Sequence, residues 1–125
     1  MEQVFETLKY LLVEFSTPEK QKPMEKYMKN LFPYLGVTSP NRAEALRIFN
    51  KAWSPKDHQE LINWVELLWN SPEREFQYVA METFHKNKKL WTETDVKTIE
   101  FMMKQKSWWD SIDFIAANIV GDFFK

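Results

Sequence analysis

The sequence predicts an all-α protein of about seven helices, and three observations support this fold class. Ser or Thr is followed by Pro four times, and such a pair caps a helix with a hydroxyl group and begins it with proline. Between these pairs, apolar residues recur at helical spacing, and no segment alternates as a strand would. The chain contains only two glycines, which excludes glycine-rich phosphate loops and the GxSxG turn of hydrolases.

The first four helices follow in order along the chain, and helix-start signals precede all but the first. We expect these helices at about residues 2–15, 19–31, 40–52 and 55–70, the last three following Thr17-Pro18, Ser39-Pro40 and Ser54-Pro55. Ser54 and Asp57 also form a capping box, in which the N3 carboxylate reaches back to the cap. Pro23 lies inside the second helix, so this helix is expected either to kink or to begin at Pro23.

The last three helices are expected at about residues 72–88, 93–105 and 108–124. Ser71-Pro72 begins the fifth, and the capping boxes Thr92…Asp95 and Ser107…Asp110 begin the sixth and seventh. The apolar residues of the fourth and fifth helices each fall on one face, as amphipathic helices require. The fourth helix shows this with Leu61, Val65, Leu68 and Trp69, and the fifth with Phe76, Val79, Ala80 and Phe84.

Helix starts taken two apart differ by roughly 32 to 38 residues, which is the period of stacked helix pairs. No tetratricopeptide consensus is present, so we expect antiparallel pairs stacked as a HEAT-like α-solenoid in a single domain, residues 1–125. An ordinary helical bundle is the alternative. Ile112, Ile115, Ile119 and Phe123 form an apolar stripe on the seventh helix, whereas terminal repeats normally have a polar outer face. We therefore expect either a longer chain or a homodimer through residues 112–124.

Composition excludes several kinds of site. The chain has no cysteine, and its two histidines, His58 and His85, are far apart in sequence, so neither a cofactor nor a metal is expected. No run approaches about 18 apolar residues, and the acidic N-terminus lacks the basic region of a signal peptide. These features predict a cytoplasmic protein without a membrane segment.

Charge is segregated along the chain although the net charge is only −1. Basic residues dominate at 20–30 and at 40–56, acidic residues at 57–82, and basic residues again at 86–89. Such a pattern can form one basic face that binds nucleic acid. Solvated faces on separate helices explain each cluster equally well.

The segment KSWWDSID, residues 106–113, places two tryptophans beside two aspartates. Ser107 as N-cap makes Trp108 a core residue at the head of the apolar stripe and gives Asp110 a capping role. Trp109 and Asp113 are four residues apart and share a helical face with two small alanines. This face either lines a cleft or holds a half-buried tryptophan beside an exposed carboxylate, and spacing alone favours the second interpretation.

Three stretches resemble the AlkD-type alkylpurine DNA glycosylases, which are DNA alkylation repair enzymes built from HEAT-like repeats. They are YMKNLFPYLGVTSPNRAEAL (27–46), LWNSPEREFQYVAMETF (68–84) and KSWWDSID (106–113), in order and across nearly the whole chain. The resemblance implies excision of positively charged N3- or N7-alkylated purines from double-stranded DNA. It also implies that Trp109 and Asp113 face the lesion as catalytic residues.

The same resemblance implies DNA-binding residues near the second and third helices. It places Tyr27 at the cleft and assigns backbone contacts to Lys29, Thr38, Ser39 and Arg42. Ala43 stands where family members often carry a second arginine, which implies one phosphate contact fewer. Family members are roughly twice as long, so the resemblance implies half of a cleft. The alternative function is a non-catalytic HEAT-like module that binds DNA or protein.

Overall fold

The computed structural model describes all residues from Met1 to Lys125 and contains helices but no strand. The first six helices are α1 (Glu2–Glu14), α2 (Gln21–Tyr27), α3 (Ser39–Ala52), α4 (His58–Trp69), α5 (Arg74–Lys86) and α6 (Asp95–Lys104). The seventh, α7, begins as Trp109–Phe114, continues with π-helical geometry over Ile115–Val120 and ends with one α-helical turn, Gly121–Phe123. Single 3-10 turns lie at Pro18–Lys20 and Lys88–Leu90. The all-α class and the seven helices are confirmed.

The helices belong to two compact units. The first unit comprises Met1–Ser54 with Ser71–Phe76, and the second comprises Pro55–Asn70 with Gln77–Lys125. In the first unit, α1 packs against α3 and buries Leu8 and Leu12 completely. The Phe5 and Phe76 rings add an aromatic contact with centroids 5.0 Å apart. The segment between α2 and α3 belongs to the same unit.

The second unit has a core of large aromatic and aliphatic side chains. Its fully buried members include Leu61, Trp64, Val65, Leu68, Val79, Phe84, Met102, Ile115 and Ile119. The Trp69 indole is also buried and donates its N–H to the carbonyl oxygen of Gln105 at 2.8 Å. Because the unit already buries Ile115 and Ile119, half of the apolar stripe on α7 is covered within one chain. A homodimer through residues 112–124 stays a prediction.

Several helix starts differ from the predicted ones, and at α3 and α4 a different side chain provides the cap. Asp57, and not Ser54, caps α4 by accepting the Glu60 N–H at 2.8 Å, and the Glu60 carboxylate accepts the Lys56 N–H at 2.9 Å. A carboxylate at a helix N-terminus also interacts favourably with the helix dipole. The cap of α3 is Thr38 instead of Ser39. Half of the predicted box at α6 forms, since Asp95 accepts the Thr92 N–H at 2.8 Å.

The second helix is shorter than the predicted range 19–31. Pro23 lies in its first turn, where the missing N–H costs no intrahelical hydrogen bond, so α2 continues through it. Lys29 and Asn30 then adopt left-handed backbone conformations with φ of 58° and 59°. These two residues reverse the chain, and α2 ends at Tyr27.

Candidate nucleic-acid interface

The C-terminal end of α2 carries two of the predicted DNA-binding residues. Tyr27 is 86% exposed, and Lys29 is also exposed. The Lys29 N–H donates to the Lys26 carbonyl at 3.0 Å, and the Asn30 N–H donates to the Glu25 carbonyl at 2.8 Å. These are the two hydrogen bonds of a Schellman helix end, whose left-handed position usually holds glycine. Here that position holds Lys29, so an exposed ammonium group and an exposed phenol lie at one helix end.

The N-terminal turn of α3 carries the other three predicted DNA-binding residues. Thr38 caps the helix, and its hydroxyl oxygen accepts the Asn41 N–H at 3.4 Å. Ser39 is exposed as the first helical residue, and Arg42 is partly buried in the same turn. Hydroxyl groups, a guanidinium group and the positive end of the dipole of a 14-residue helix are all groups that bind phosphate.

A buried carboxylate holds the segment that leads into this turn. Glu75, fully buried near the start of α5, accepts the N–H of Leu35 at 2.9 Å through Oε1. Its Oε2 accepts the N–H groups of Gly36 at 2.9 Å and Val37 at 3.0 Å. Three consecutive backbone donors therefore converge on one side chain. We call this arrangement the Glu75 clamp.

The residue before Glu75 holds the preceding part of the same loop. Arg74 is fully buried, and its guanidinium carbon lies 3.9 Å from the centroid of the Phe32 ring. Its backbone N–H donates to the Pro33 carbonyl at 2.8 Å. Arg74 and Glu75 together therefore fix the backbone from Phe32 to Val37.

Sequence reasoning missed both residues, although a signal was present. Glu75 precedes Val79 by four positions and therefore lies on the apolar face of α5. An acidic residue in that position is rarely buried unless its charge is paired or hydrogen-bonded. The signal indicates a buried polar contact but does not identify the partner, which lies about 40 residues earlier in the chain.

The second unit places Trp109 and Asp113 on an exposed face of α7. Trp109 is 70% exposed, whereas Trp64 and Trp69 of the same unit are 0% and 1% exposed. Asp113 is exposed one turn later, and Ala116 and Ala117, which follow, are exposed as well. The expectation of a half-buried tryptophan is therefore wrong, while that of an exposed carboxylate is confirmed.

The start of α7 differs from the predicted one. Trp108, and not Ser107, is the N-cap, and it is only partly buried. The Ser111 hydroxyl oxygen accepts the Trp108 N–H at 3.2 Å and performs the role predicted for Asp110. Asp110 instead accepts the Tyr78 hydroxyl at 2.6 Å and the Ser111 N–H at 2.7 Å. Trp109 is thus the first residue of the helix, beside an anchored carboxylate.

The structure groups the predicted site residues into three places. Thr38, Ser39 and Arg42 share the first turn of α3, Tyr27 and Lys29 share the end of α2, and Trp109 and Asp113 share one face of α7. No group of three or more His, Asp or Glu side chains is arranged to hold a metal ion. None of the helices has both the length and the apolar character needed to cross a bilayer.

Comparisons with known proteins place this geometry in a family. The profile of the DNA alkylation repair enzyme family matches residues 8–125. A search of curated proteins found no significant match. Among solved structures, a predicted DNA alkylation repair enzyme from Enterococcus faecalis superimposes with a TM-score of 0.68 at 31% sequence identity. That match covers 79% of this chain and 46% of the other, so this chain spans about half the length of that protein. The resemblance seen in the sequence is confirmed, and the chain belongs to the DNA alkylation repair enzyme family.

Proposed function

We propose that this chain binds double-stranded DNA containing positively charged N3- or N7-alkylated purines and contributes Asp113 and Trp109 to their excision. The observation that carries this proposal is the exposure of Trp109 one turn before an exposed carboxylate. Burying a large apolar side chain is worth about 1.5–3 kcal/mol, and Trp109 forgoes most of that gain. Membership in the DNA alkylation repair enzyme family supports alkylated DNA as the substrate to propose for this surface.

Asp113 has the chemistry that the excision step needs. Cleavage of the glycosidic bond of a cationic alkylpurine develops positive charge on the deoxyribose, while the base leaves as a neutral molecule. A carboxylate at about 4 Å from that charge, at an effective dielectric of about 20, stabilises it by about 4 kcal/mol. This corresponds to roughly a thousandfold in rate. The same carboxylate can orient the attacking water. A strong general acid is not required, because the leaving base is already activated by its charge.

Trp109 is proposed to offer an aromatic face to the cationic nucleotide, and Tyr27 is proposed as a separate aromatic contact to the DNA. A cation over an aromatic ring gains about 0.5–2 kcal/mol, more when water is excluded. Trp109 is 70% exposed and can therefore stack without rearranging the core of its unit. A neutral purine lacks the full charge, so this interaction favours the alkylated base.

Lys29, Thr38, Ser39 and Arg42 are proposed to bind the DNA backbone. Phosphate contacts fix the register of a protein on a duplex without reading its sequence. Each basic contact releases condensed counterions, so duplex affinity should fall steeply with salt. Ala43 offers no such contact, and we therefore expect fewer contacts in this turn than an arginine pair would make.

A single-turnover assay on a duplex with one 7-methylguanine tests the proposal. Release of the free base by the wild-type chain, and its loss in Asp113→Asn, would support the catalytic role. Glu66→Gln is the matched control, because Glu66 is an exposed acid on α4 whose replacement changes the net charge equally. Salt-dependent duplex binding without base release would instead select the non-catalytic binding module. Absence of duplex binding at low salt would contradict the proposed excision and any DNA-binding role, and would leave only a protein-binding module.

A further inference from the structure

We infer that Glu75 is a positioning residue for the DNA-contacting turn, acting through the three backbone N–H groups of its clamp. The inference rests on the proposed function, since it concerns how the Thr38–Arg42 turn is presented to a phosphate backbone. Glu75 itself is fully buried and therefore presents no group to the DNA. It acts only on the geometry of the residues that follow Val37.

The clamp compensates for hydrogen bonds that the local backbone lacks. Leu35, Gly36 and Val37 lie between α2 and α3, outside any helix. Gly36 and Val37 are buried, and buried backbone N–H groups left unpaired are costly. The two carboxylate oxygens of Glu75 accept all three N–H groups, and neither oxygen is more than 3.0 Å from its donors. The segment is thereby held in one conformation.

The clamp ends directly before the residue that caps α3. Val37, the third donor, is followed by Thr38, and the Thr38 carbonyl accepts the Arg42 N–H at 2.8 Å. The direction in which Ser39 and Arg42 leave the loop therefore depends on where Val37 is fixed. Gly36 supports the same geometry with a left-handed φ of 93°, and its carbonyl accepts the Thr17 N–H at 2.8 Å.

The direction of the change in DNA affinity distinguishes a positioning role of Glu75 from a purely electrostatic one. Removing a negative charge from a protein that binds DNA ordinarily strengthens binding, because the phosphates are repelled less. Glu75→Gln removes one negative charge and keeps the side-chain size, but its amide nitrogen cannot accept an N–H. At least one of the three clamp donors then loses its partner. Weaker binding by Glu75→Gln would thus oppose the electrostatic expectation and report lost positioning.

The experiment measures the affinity of the whole chain for an unmodified duplex across a salt series. Each basic phosphate contact contributes about 0.9 to the slope of log affinity against log salt concentration. We expect Glu75→Gln and Arg42→Gln each to reduce the slope by about 1. The double variant should show no further reduction, because both changes remove the same contact. A variant that is merely less stable would lower the active fraction and leave the slope unchanged.

Amide hydrogen exchange provides the second readout. Faster exchange at Leu35, Gly36 and Val37 in Glu75→Gln, with thermal unfolding still cooperative, is the expected result. If Glu75→Gln does not fold, Glu75→Asp keeps the charge, shortens the side chain and should show the same two changes in weaker form. If a folded Glu75 variant shows the same salt slope as the wild type, the inference about Glu75 is overturned and the proposed function is unaffected. A wild-type chain with no salt-dependent duplex binding would overturn the proposed function and this inference together.

Discussion

The Tyr78 hydroxyl donates a 2.6 Å hydrogen bond to Oδ2 of Asp110, and this bond ties α5 to the first turn of α7. The other carboxylate oxygen accepts the Ser111 N–H at 2.7 Å. Asp110 directly follows Trp109 and precedes Asp113 by three residues. The orientation of both proposed catalytic side chains therefore depends on this anchor.

Replacing Tyr78 with Phe should slow excision more than it weakens substrate binding. Loss of a hydrogen bond to a carboxylate costs about 1.5–3 kcal/mol of stability. A misplacement of about 1 Å at a reacting group costs up to about 100-fold in rate. We expect the single-turnover rate at saturating protein to fall about 10- to 100-fold, with the half-saturation concentration nearly unchanged. Tyr10→Phe is the control, since Tyr10 is 67% exposed on α1. Equal losses in rate and binding would contradict the positioning role.

Replacement by alanine should reduce activity at Trp109 and stability at Trp64. Trp109 is 70% exposed, so Trp109→Ala should change the free energy of unfolding by less than about 0.5 kcal/mol. It should nevertheless slow release of 7-methylguanine about 2- to 30-fold, the equivalent of a lost cation–π contact. Trp64 is fully buried, and Trp64→Ala should cost about 3–5 kcal/mol. Chemical denaturation beside the release assay measures both effects, and a large stability loss in Trp109→Ala would assign Trp109 to packing.

Local patterns predicted the elements of this fold well because helix starts are encoded by a few adjacent residues. Thr38-Ser39-Pro40 and the apolar faces of α4 and α5 define their helices within short windows. Boundaries were wrong where two caps compete, as Asp57 and Ser54 do before α4. A carboxylate that reaches the Glu60 N–H wins that competition, and neither residue alone reveals this.

The site was only partly predictable for a different reason. Trp109 and Asp113 share a helix, so their spacing alone placed them on one face. Glu75 is linked to Leu35 across 40 positions, and Tyr78 is linked to Asp110 across 32. Such pairs depend on packing between helices, which periodicity does not report. The supporting contacts of the site were therefore absent from the prediction, while its exposed residues were present.

The two glycines should respond oppositely to alanine. Gly36 has a φ of 93°, and an added Cβ would lie 2.7 Å from the Thr17 carbonyl oxygen. Gly36→Ala should therefore destabilise the protein by about 1–3 kcal/mol. Gly121 has a helical φ of −58°, and an added Cβ meets no atom within 4 Å. Gly121→Ala should stabilise the protein by about 0.4–1 kcal/mol through the unfolded chain. Equilibrium denaturation compares the pair, and a neutral Gly36→Ala would show that the turn adapts.

Acid should remove a stabilising contribution that Asp122 makes in the second unit. The hydrogen bond from His85 Nε2, at 2.7 Å, holds the pKa of Asp122 below its usual value of 3.8, and Lys88 and Lys125 act in the same direction. A carboxyl group whose pKa is lower in the folded state stabilises the fold above its unfolded pKa. That contribution is lost as the pH falls from 3.8 through the folded pKa.

Asp122→Asn should accordingly lower the melting temperature at neutral pH, and its deficit against wild type should shrink at a pH below 3.8. His85→Gln should reproduce part of the neutral-pH deficit, and the double variant should fall short of the sum, because the two residues share one hydrogen bond. Asp113→Asn serves as the control for loss of an exposed carboxylate and should leave the melting temperature near that of wild type. Thermal unfolding followed by circular dichroism from about pH 2.5 to 7 measures all four variants. A deficit of Asp122→Asn that stays constant over this range would show that Asp122 stabilises the second unit by packing and not by its charge.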